Sequence, residues 1–354
     1  MEEKKDTLGM LDLVIRPGFC VKENQIIKVN QAAESLFITP GTDVRPLLLT
    51  GSEEYAAFTG GCLYLTLNLS SHSCGASVTR VDDIDVFLLE QESDNGELRS
   101  MALAARELRE PLTNVMITAD SLFPLCAAES SPRTAEQVAR LNRGLFQILR
   151  IIGNMSDAER CAAVSHQETV DIPALFAEFF EKAETLVSHT GITLTYEGPD
   201  QPIYGLADRE QLERAVLNIL SNAIKFTPKG GTVTAKLTRS GRMLRLSVTD
   251  SGSGIAQSVR SSVFSRYLRQ PALEDSRYGI GLGMVLIRTA AAHHGGAVLI
   301  DQPEGAGTRI TMTMSIRQSK QATLRSNVLR VDYAGERDHG LIELSECLPT
   351  ELYE

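Results

Sequence analysis

The feature that most constrains the fold of this chain is a series of four short motifs in its second half. They occupy residues 218–225 (NILSNAIK), 250–254 (DSGSG), 279–283 (GIGLG) and 305–308 (GAGT). Each motif alone is weak evidence, whereas all four in this order and spacing are difficult to obtain by chance. The fold must therefore bring a polar helix face, a turn and two glycine-rich loops to one place.

The first motif lies in residues 208–226, whose apolar spacing predicts a long helix. Asn218 and Asn222 are four residues apart and share one face of that helix, and Lys225 follows on a similar face. An amide offers a carbonyl oxygen to a hard cation such as Mg²⁺, and a lysine can neutralise phosphate charge. These side chains predict a site for ATP together with Mg²⁺.

The second motif follows a predicted strand at residues 243–249. The Asp250 carboxylate could accept a hydrogen bond from the adenine amine, and Gly252 and Gly254 would let the backbone approach the purine. A DxGxG sequence is also a common turn, so the interpretation as an adenine site depends on the other motifs.

The third motif directly precedes a predicted helix at residues 284–293. Its backbone N–H groups are expected to bind phosphate at the helix N-terminus, and they belong to Gly279, Gly281, Leu282 and Gly283. The fourth motif, which ends at Thr308, is expected to support this loop by close packing. Residues 255–278 contain four arginines and are predicted to form a mobile lid over the nucleotide.

Together these motifs resemble the N, G1, G2 and G3 boxes of the GHKL ATPase superfamily, and within it the ATP-binding domain of sensor histidine kinases. Residues 222–228 resemble that subgroup's N box, 263–269 its F box, and 294–296 the run before G3. The resemblance implies that Asn222 binds Mg²⁺, that Asn218 and Lys225 support the phosphates, and that Asp250 contacts adenine. It covers about residues 97–316.

An upstream helix resembles the phosphotransfer helix of sensor kinases, whose motif is His-Glu-Leu-Arg-x-Pro-Leu. Residues 107–109, 111 and 112 match it, but Arg106 occupies the position of the phospho-accepting histidine. A guanidinium group stays protonated at neutral pH and is not a nucleophile. Glu107, the family's base, is present, and Glu110 stands where the family usually has Thr or Asn. Both autophosphorylation and phosphatase activity are therefore in doubt.

Four hypotheses follow from this combination. The first is a degenerate sensor kinase that binds ATP and signals through contacts with a partner, such as a response regulator. The second is an active kinase that phosphorylates a partner in trans, and the third is an unconventional acceptor within this chain. The fourth is a GHKL ATPase of another branch, which the helical hairpin described below disfavours.

The pattern of predicted elements indicates an α+β multidomain protein. Residues 1–92 predict strands and a short helix that resemble a PAS sensor domain through residues 26–34, although a generic α+β interaction domain stays open. Residues 97–165 predict a helical hairpin whose wide apolar stripe should pair with a second copy in a homodimeric four-helix bundle. Residues 168–317 form the predicted α/β-sandwich ATP-binding domain. The extension 318–354 contains two strand-like segments, 327–333 and 340–344, that predict a hairpin.

Composition excludes several classes of protein. There are 35 Lys and Arg residues against 45 Asp and Glu residues, a net charge of −10, which argues against a dedicated nucleic-acid binder. The six cysteines form no CxxC pair and predict neither a zinc site nor a disulfide framework. No apolar run has the length of a membrane span, and the N-terminus lacks a signal-peptide core, so we expect a soluble cytoplasmic protein.

Overall fold

The computed structural model describes residues 9, 11–69, 72–128, 132–163, 166–255, 263–264, 282–303, 307–317 and 337–353. Within the helices, only the backbone is described for residues 92–99, 124–128, 132 and 157–163.

The N-terminal part is a five-stranded antiparallel sheet with short helices. Its elements are β1 (Gly18–Lys22), β2 (Gln25–Val29), α1 (Gln31–Glu34), a 3-10 turn (Arg45–Leu47), α2 (Ser52–Ala56), β3 (Cys62–Asn68), β4 (Ser73–Val81) and β5 (Ile84–Leu89). Asn30 fixes the start of α1 because its side chain accepts hydrogen bonds from the backbone of Ala33 and Gly18. Stacked rings of Phe19 and Phe87, 4.7 Å apart, lie in the core of this unit.

Two long helices follow, α3 (Glu92–Ala128) and α4 (Pro132–Ala163), and they pack against each other. The sequence predicted both, and α3 runs through Pro111 without interruption. The helices bury one set of apolar residues, which includes Ala105, Leu112 and Phe146, and expose another.

The remaining part is a mixed sheet covered by helices. Its elements are β6 (Glu168–Asp171), α5 (Ile172–Val187), a 3-10 turn (Ser188–Thr190), β7 (Thr193–Glu197), β8 (Tyr204–Ala207), α6 (Arg209–Phe226), β9 (Thr232–Ser240), β10 (Met243–Asp250), α7 (Gly283–His293), β11 (Val298–Asp301) and β12 (Arg309–Ser315). Strands β7 and β9 are parallel, and β9, β10, β12 and β11 pair antiparallel in that order. Short strands β6 and β8 form a separate antiparallel pair.

One sheet runs through both parts of the chain. Strand β3 of the N-terminal part pairs antiparallel with β11, with Tyr64 opposite Val298, so ten strands follow the order β2-β1-β5-β4-β3-β11-β12-β10-β9-β7. A partly buried ion pair supports the junction, because Arg288 of α7 contacts Glu90 at 2.5 Å and lies 4.9 Å from the centre of the Tyr64 ring. The two units predicted from the sequence, 1–92 and 168–317, thus share one sheet.

The C-terminal segment, residues 337–353, corrects one prediction. Residues 339–343 form a short helix, α8 (His339–Glu343), and not the second strand of a hairpin, and a 3-10 turn follows at Thr350–Tyr353. Asp338 starts α8 by accepting a hydrogen bond from the Leu341 backbone at 3.1 Å, and this cap overrides the strand-like run of apolar residues. The other half of the expected hairpin, 327–333, lies outside the described residues.

None of the helices in the described part of the chain combines the length and the apolar character that a membrane crossing requires.

Candidate functional site

Helix α6 positions the polar side chains of the first motif. Asp208 caps its N-terminus by accepting a hydrogen bond from the Gln211 backbone at 3.2 Å, and its apolar residues enter the main core. Asn218 is 1% exposed, whereas Asn222 and Lys225 are half-buried. Asn218 is therefore shielded from bulk solvent, and Asn222 and Lys225 are partly shielded. Such a setting suits the binding of a charged ligand.

The amide of Asn218 has an unsatisfied oxygen. Its Nδ2 donates to the backbone oxygen of Arg214 at 2.9 Å, but its buried Oδ1 has no hydrogen-bond partner among the described residues. A buried amide oxygen without a partner is costly, so such an atom needs a ligand, water or ion. The carbonyl oxygens of Asn218 and Asn222 are of the type that Mg²⁺ prefers. This donor set therefore fits the predicted cation.

Asp250 ends β10 and organises the turn that follows. Its Oδ1 accepts hydrogen bonds from the backbone of Gly252 at 2.9 Å and of Thr308 at 3.1 Å. Burial raises the pKa of the Asp250 carboxyl, and the two backbone donors offset part of this increase. One carboxylate oxygen is thereby engaged by the second and fourth motifs, and the side chain is only 7% exposed.

Glycines bring the motifs into close approach. A Cβ atom at Gly252 would lie 2.4 Å from the backbone oxygen of Phe226, at the end of α6. A Cβ at Gly307, where φ is +97°, would lie 1.8 Å from the backbone oxygen of Asp250. A Cβ at Gly283 would lie 2.8 Å from the side-chain oxygen Oδ1 of Asn218. The end of α6, directly after the first motif, therefore lies against the second motif; the first motif lies against the third, and the second against the fourth. Gly254 also has a positive φ, of +74°.

The third motif is described only at its end. Leu282 is buried at the N-cap of α7, and Gly283 is the first residue of that helix. Asn222 Nδ2 lies 3.9 Å from the sulfur of Met284 in the first turn, so α6 and the start of α7 are neighbours. Gly279, Gly281 and most of the predicted lid lie outside the described residues.

The run before the fourth motif has a structural role in this fold. His294 is 1% exposed, its Nδ1 lies 2.7 Å from the backbone oxygen of Ala290, and its Nε2 accepts a hydrogen bond from the Asp208 backbone at 3.0 Å. Burial lowers the pKa of this imidazole, which favours the neutral ring that these two contacts require. His294 thus joins the start of α6 to the end of α7.

Sequence reasoning missed a cluster of charged side chains beside the first motif. Glu343 and Glu346 of the C-terminal segment meet Arg150 of α4 and Arg214 and Lys225 of α6. The signal available in the sequence was two glutamates three residues apart within an apolar segment, which places them near each other on a helical turn. No sequence pattern indicated which surface they would contact.

Arg106 and its neighbours lie on α3. Arg106, Glu107 and Glu110 are all exposed, and Leu112 is buried in the packing between α3 and α4. The structure thus presents a guanidinium group to solvent at the position where the resemblance expects an imidazole.

Comparison with known proteins gives a consistent match. Residues 207–318 match the family model described as "Histidine kinase-, DNA gyrase B-, and HSP90-like ATPase". "Uncharacterized sensor-like histidine kinase R01002" of Rhizobium meliloti is 29% identical over 276 residues, which are 73% of this chain and 52% of that protein. "Adaptive-response sensory kinase SasA" of Crocosphaera subtropica is 26% identical over 246 residues, 66% of this chain and 64% of that protein. This chain therefore spans between half and two thirds of the length of these relatives.

Among solved structures, the crystal structure of full-length ShkA in complex with AMPPNP is similar, with a TM-score of 0.51. The match covers 62% of this chain and 46% of that chain at 23% identity, and it supports the fold alone.

Proposed function

We propose that this chain is a sensor-kinase-like protein of two-component signal transduction. Its residues 207–318 match an ATPase domain of the histidine kinase, DNA gyrase B and HSP90 type. In this proposal the chain binds ATP with Mg²⁺ but lacks its own acceptor histidine. The main support for an ATP site is the close packing of the four motifs at Gly252, Gly283 and Gly307, where a Cβ atom would not fit. Relatives whose names identify them as sensor kinases support the signalling role.

The chain's own residues have distinct proposed roles at this site. Asn222 would supply an oxygen to Mg²⁺, with the unpartnered Asn218 oxygen one turn away on the same helix. Bound Mg²⁺ would neutralise phosphate charge. Lys225 would add a point charge beside the phosphates. The backbone donors hold one oxygen of Asp250, and the carboxylate would accept the adenine amine hydrogen.

Gly279, Gly281, Leu282 and Gly283 would present backbone N–H groups to the phosphates at the N-terminus of α7. Gly252 and Gly254 would admit the purine, and Thr308 would hold the turn in place. The roles of Gly279 and Gly281 follow from the resemblance alone, and the others follow from the resemblance together with the geometry of the described residues.

The degenerate character of the proposed kinase depends on Arg106. An exposed, permanently protonated guanidinium cannot accept a phosphoryl group as imidazole does. Glu107 would then have no neighbouring imidazole to activate. ATP binding would instead control how the chain contacts a partner, for which a response regulator is the proposed class.

The exposed apolar face of the hairpin supports a homodimer. Leu108, Val115 and Leu122 of α3 are 49–52% exposed and recur every seven residues, as do Leu141 and Ile148 of α4. A seven-residue apolar repeat is the pattern by which helices pack side by side in bundles. We propose that a second copy covers this face in a four-helix bundle.

Calorimetric titration with Mg²⁺ and ATP tests the site. The wild-type chain should bind, and Asn222→Ala should lower the affinity at least about tenfold because the cation loses an oxygen ligand. Asn68→Ala, an exposed asparagine at the end of β3, is the matched control and should bind as the wild type does. Absence of nucleotide binding in the folded wild-type chain and also in a folded Glu346→Gln variant, in which Lys225 has lost its ion pair, would refute the proposed function.

A further inference from the structure

The C-terminal segment is built into the core and does not lie loosely on the surface. Ile342 and Leu344 are fully buried, and Leu348 and Tyr353 are 1% and 2% exposed within the main core cluster. The Tyr353 ring packs against Phe146 of α4 with 5.2 Å between ring centres. The segment therefore occupies a fixed place between α4 and α6.

Helix α4 holds the backbone of this segment through polar side chains. Arg143 donates to the backbone oxygen of Ser345 at 2.9 Å and of Glu346 at 3.1 Å. Asn142 donates to the backbone oxygen of Tyr353 at 2.9 Å. These bonds set the position of the two glutamates relative to α6.

Glu343 joins the hairpin to the ATPase domain. Its carboxylate is fully buried and lies 3.3 Å from Arg150 of α4 and 3.1 Å from Arg214 of α6. Asn218 also contacts it, with Nδ2 3.4 Å from Oε2. One carboxylate from the C-terminal segment therefore contacts a residue that the proposed function assigns to the nucleotide.

Glu346 contacts a second such residue. Its Oε2 lies 2.5 Å from Lys225 Nζ and 3.1 Å from Arg150 Nη1. Burial acts to raise the pKa of the Glu346 carboxyl, but Arg150 and Lys225 outweigh this effect and hold that pKa below its ordinary value. The carboxylate is thus charged near neutral pH and takes the position at Lys225 that an anionic phosphate would need.

The charges at this point favour exchange of one anion for another. Among the described side chains, Arg150, Arg214 and Lys225 face the two carboxylates, which leaves one positive charge in excess. Phosphate can replace Glu346 beside Lys225 without leaving that lysine unpaired, but the two anions repel each other if both are present.

We propose that the C-terminal segment is an autoinhibitory element: Glu346 competes with the nucleotide phosphates for Lys225, and ATP binding releases the segment from α6. The proposal rests on the ATP site proposed above and adds its regulation. Because the coupling is reciprocal, docking of the segment weakens ATP binding by the same factor by which ATP weakens docking, and removal of the Glu346 charge should relieve this effect.

Glu346→Gln tests this competition in the full-length chain. We expect ATP affinity with Mg²⁺, measured by calorimetry, to rise about tenfold. The matched control is Glu351→Gln, which removes an exposed carboxylate of the same segment and should bind ATP as the wild type does. Asn222→Ala removes the proposed Mg²⁺ ligand and shows whether the measured ATP binding occurs at the proposed site.

A second measurement uses the wild-type chain and does not depend on the fold of a variant. Saturating Mg²⁺ and ATP should accelerate amide hydrogen exchange of residues 341–348 about tenfold, because the segment is released. Unchanged protection of these amides in the ATP complex would overturn the proposal.

The outcomes separate the two proposals. Equal ATP affinity of Glu346→Gln and wild type, with binding lost in Asn222→Ala, would overturn the autoinhibition and leave the proposed function intact. Absence of ATP binding in folded wild type and in Glu346→Gln would overturn both.

Discussion

Replacement of Glu343 by glutamine should destabilise the fold more than any exposed substitution in the same segment. Glu343 is fully buried, and its two partners, Arg150 and Arg214, have side chains that are 9% and 4% exposed. Removal of one partner from a buried ion pair costs about 3–5 kcal/mol, because it leaves a charge uncompensated in a medium of low polarity.

Several contacts lower this cost toward the bottom of that range. Arg214 still donates to Asn154 Oδ1 at 2.7 Å, and Arg150 still contacts Ser221 Oγ and Glu346, both at 3.1 Å. Glutamine also preserves the volume and one carbonyl acceptor. We therefore expect the free energy of unfolding to fall by about 3 kcal/mol.

Urea unfolding followed by circular dichroism measures the effect. If the free energy of unfolding falls by about 3 kcal/mol per molar urea, the urea concentration at the midpoint of unfolding should fall by about 1 M. Glu351→Gln should stay within about 0.5 kcal/mol of wild type, since its side chain is exposed. A Glu343→Gln midpoint within about 0.2 M of wild type, at an unchanged slope, would refute the reasoning that the charge of Glu343 holds α4 and α6 together.

Three further predictions address other parts of the account. ATP affinity should fall on acidification at a higher pH than an ordinary aspartate would give, because burial raises the pKa of Asp250 and adenine recognition needs its charged form. Calorimetry between pH 7 and about pH 4 checks this, and Asp250→Asn should remove this contribution and leave only that of the titrating ATP phosphates. Val115→Glu should convert the proposed dimer to monomers in analytical ultracentrifugation, whereas the exposed control Thr113→Glu should leave it dimeric; a dimeric Val115→Glu would place the interface elsewhere. Gly307→Ala should destabilise the chain by about 2 kcal/mol or more in thermal unfolding, because a Cβ would collide with the Asp250 backbone oxygen at a φ of +97°, and an unchanged Tm would contradict this.

Local features of the fold could be predicted from the sequence because they depend on nearby residues. The apolar period of 208–226 predicts α6, and the structure confirms that helix and shows that Asp208 caps it. The placement of Asn218 and Asn222 on this helix follows from the same spacing. The strand predicted at residues 243–249 was likewise found, as β10.

Contacts between distant segments could not be predicted in the same way. The pairing of β3 with β11 depends on which sheet edges are free after folding, and neither strand encodes its partner. For residues 340–344, a short apolar run fits a strand or a helix, and the Asp338 cap decides in favour of the helix. The ion pairs of Glu343 and Glu346 are set by this docking and have no signal of their own in the sequence.

Self-labelling with γ-labelled ATP and Mg²⁺ tests the central claim most directly. We predict that the purified wild-type chain binds ATP and acquires no label, because Arg106 cannot accept the phosphoryl group. Arg106→His, which restores an imidazole on the exposed face of α3, should acquire a label that the additional Asn222→Ala substitution abolishes. A label on the wild-type chain that disappears in Asn222→Ala would contradict the account, and the labelled residue would identify a different acceptor.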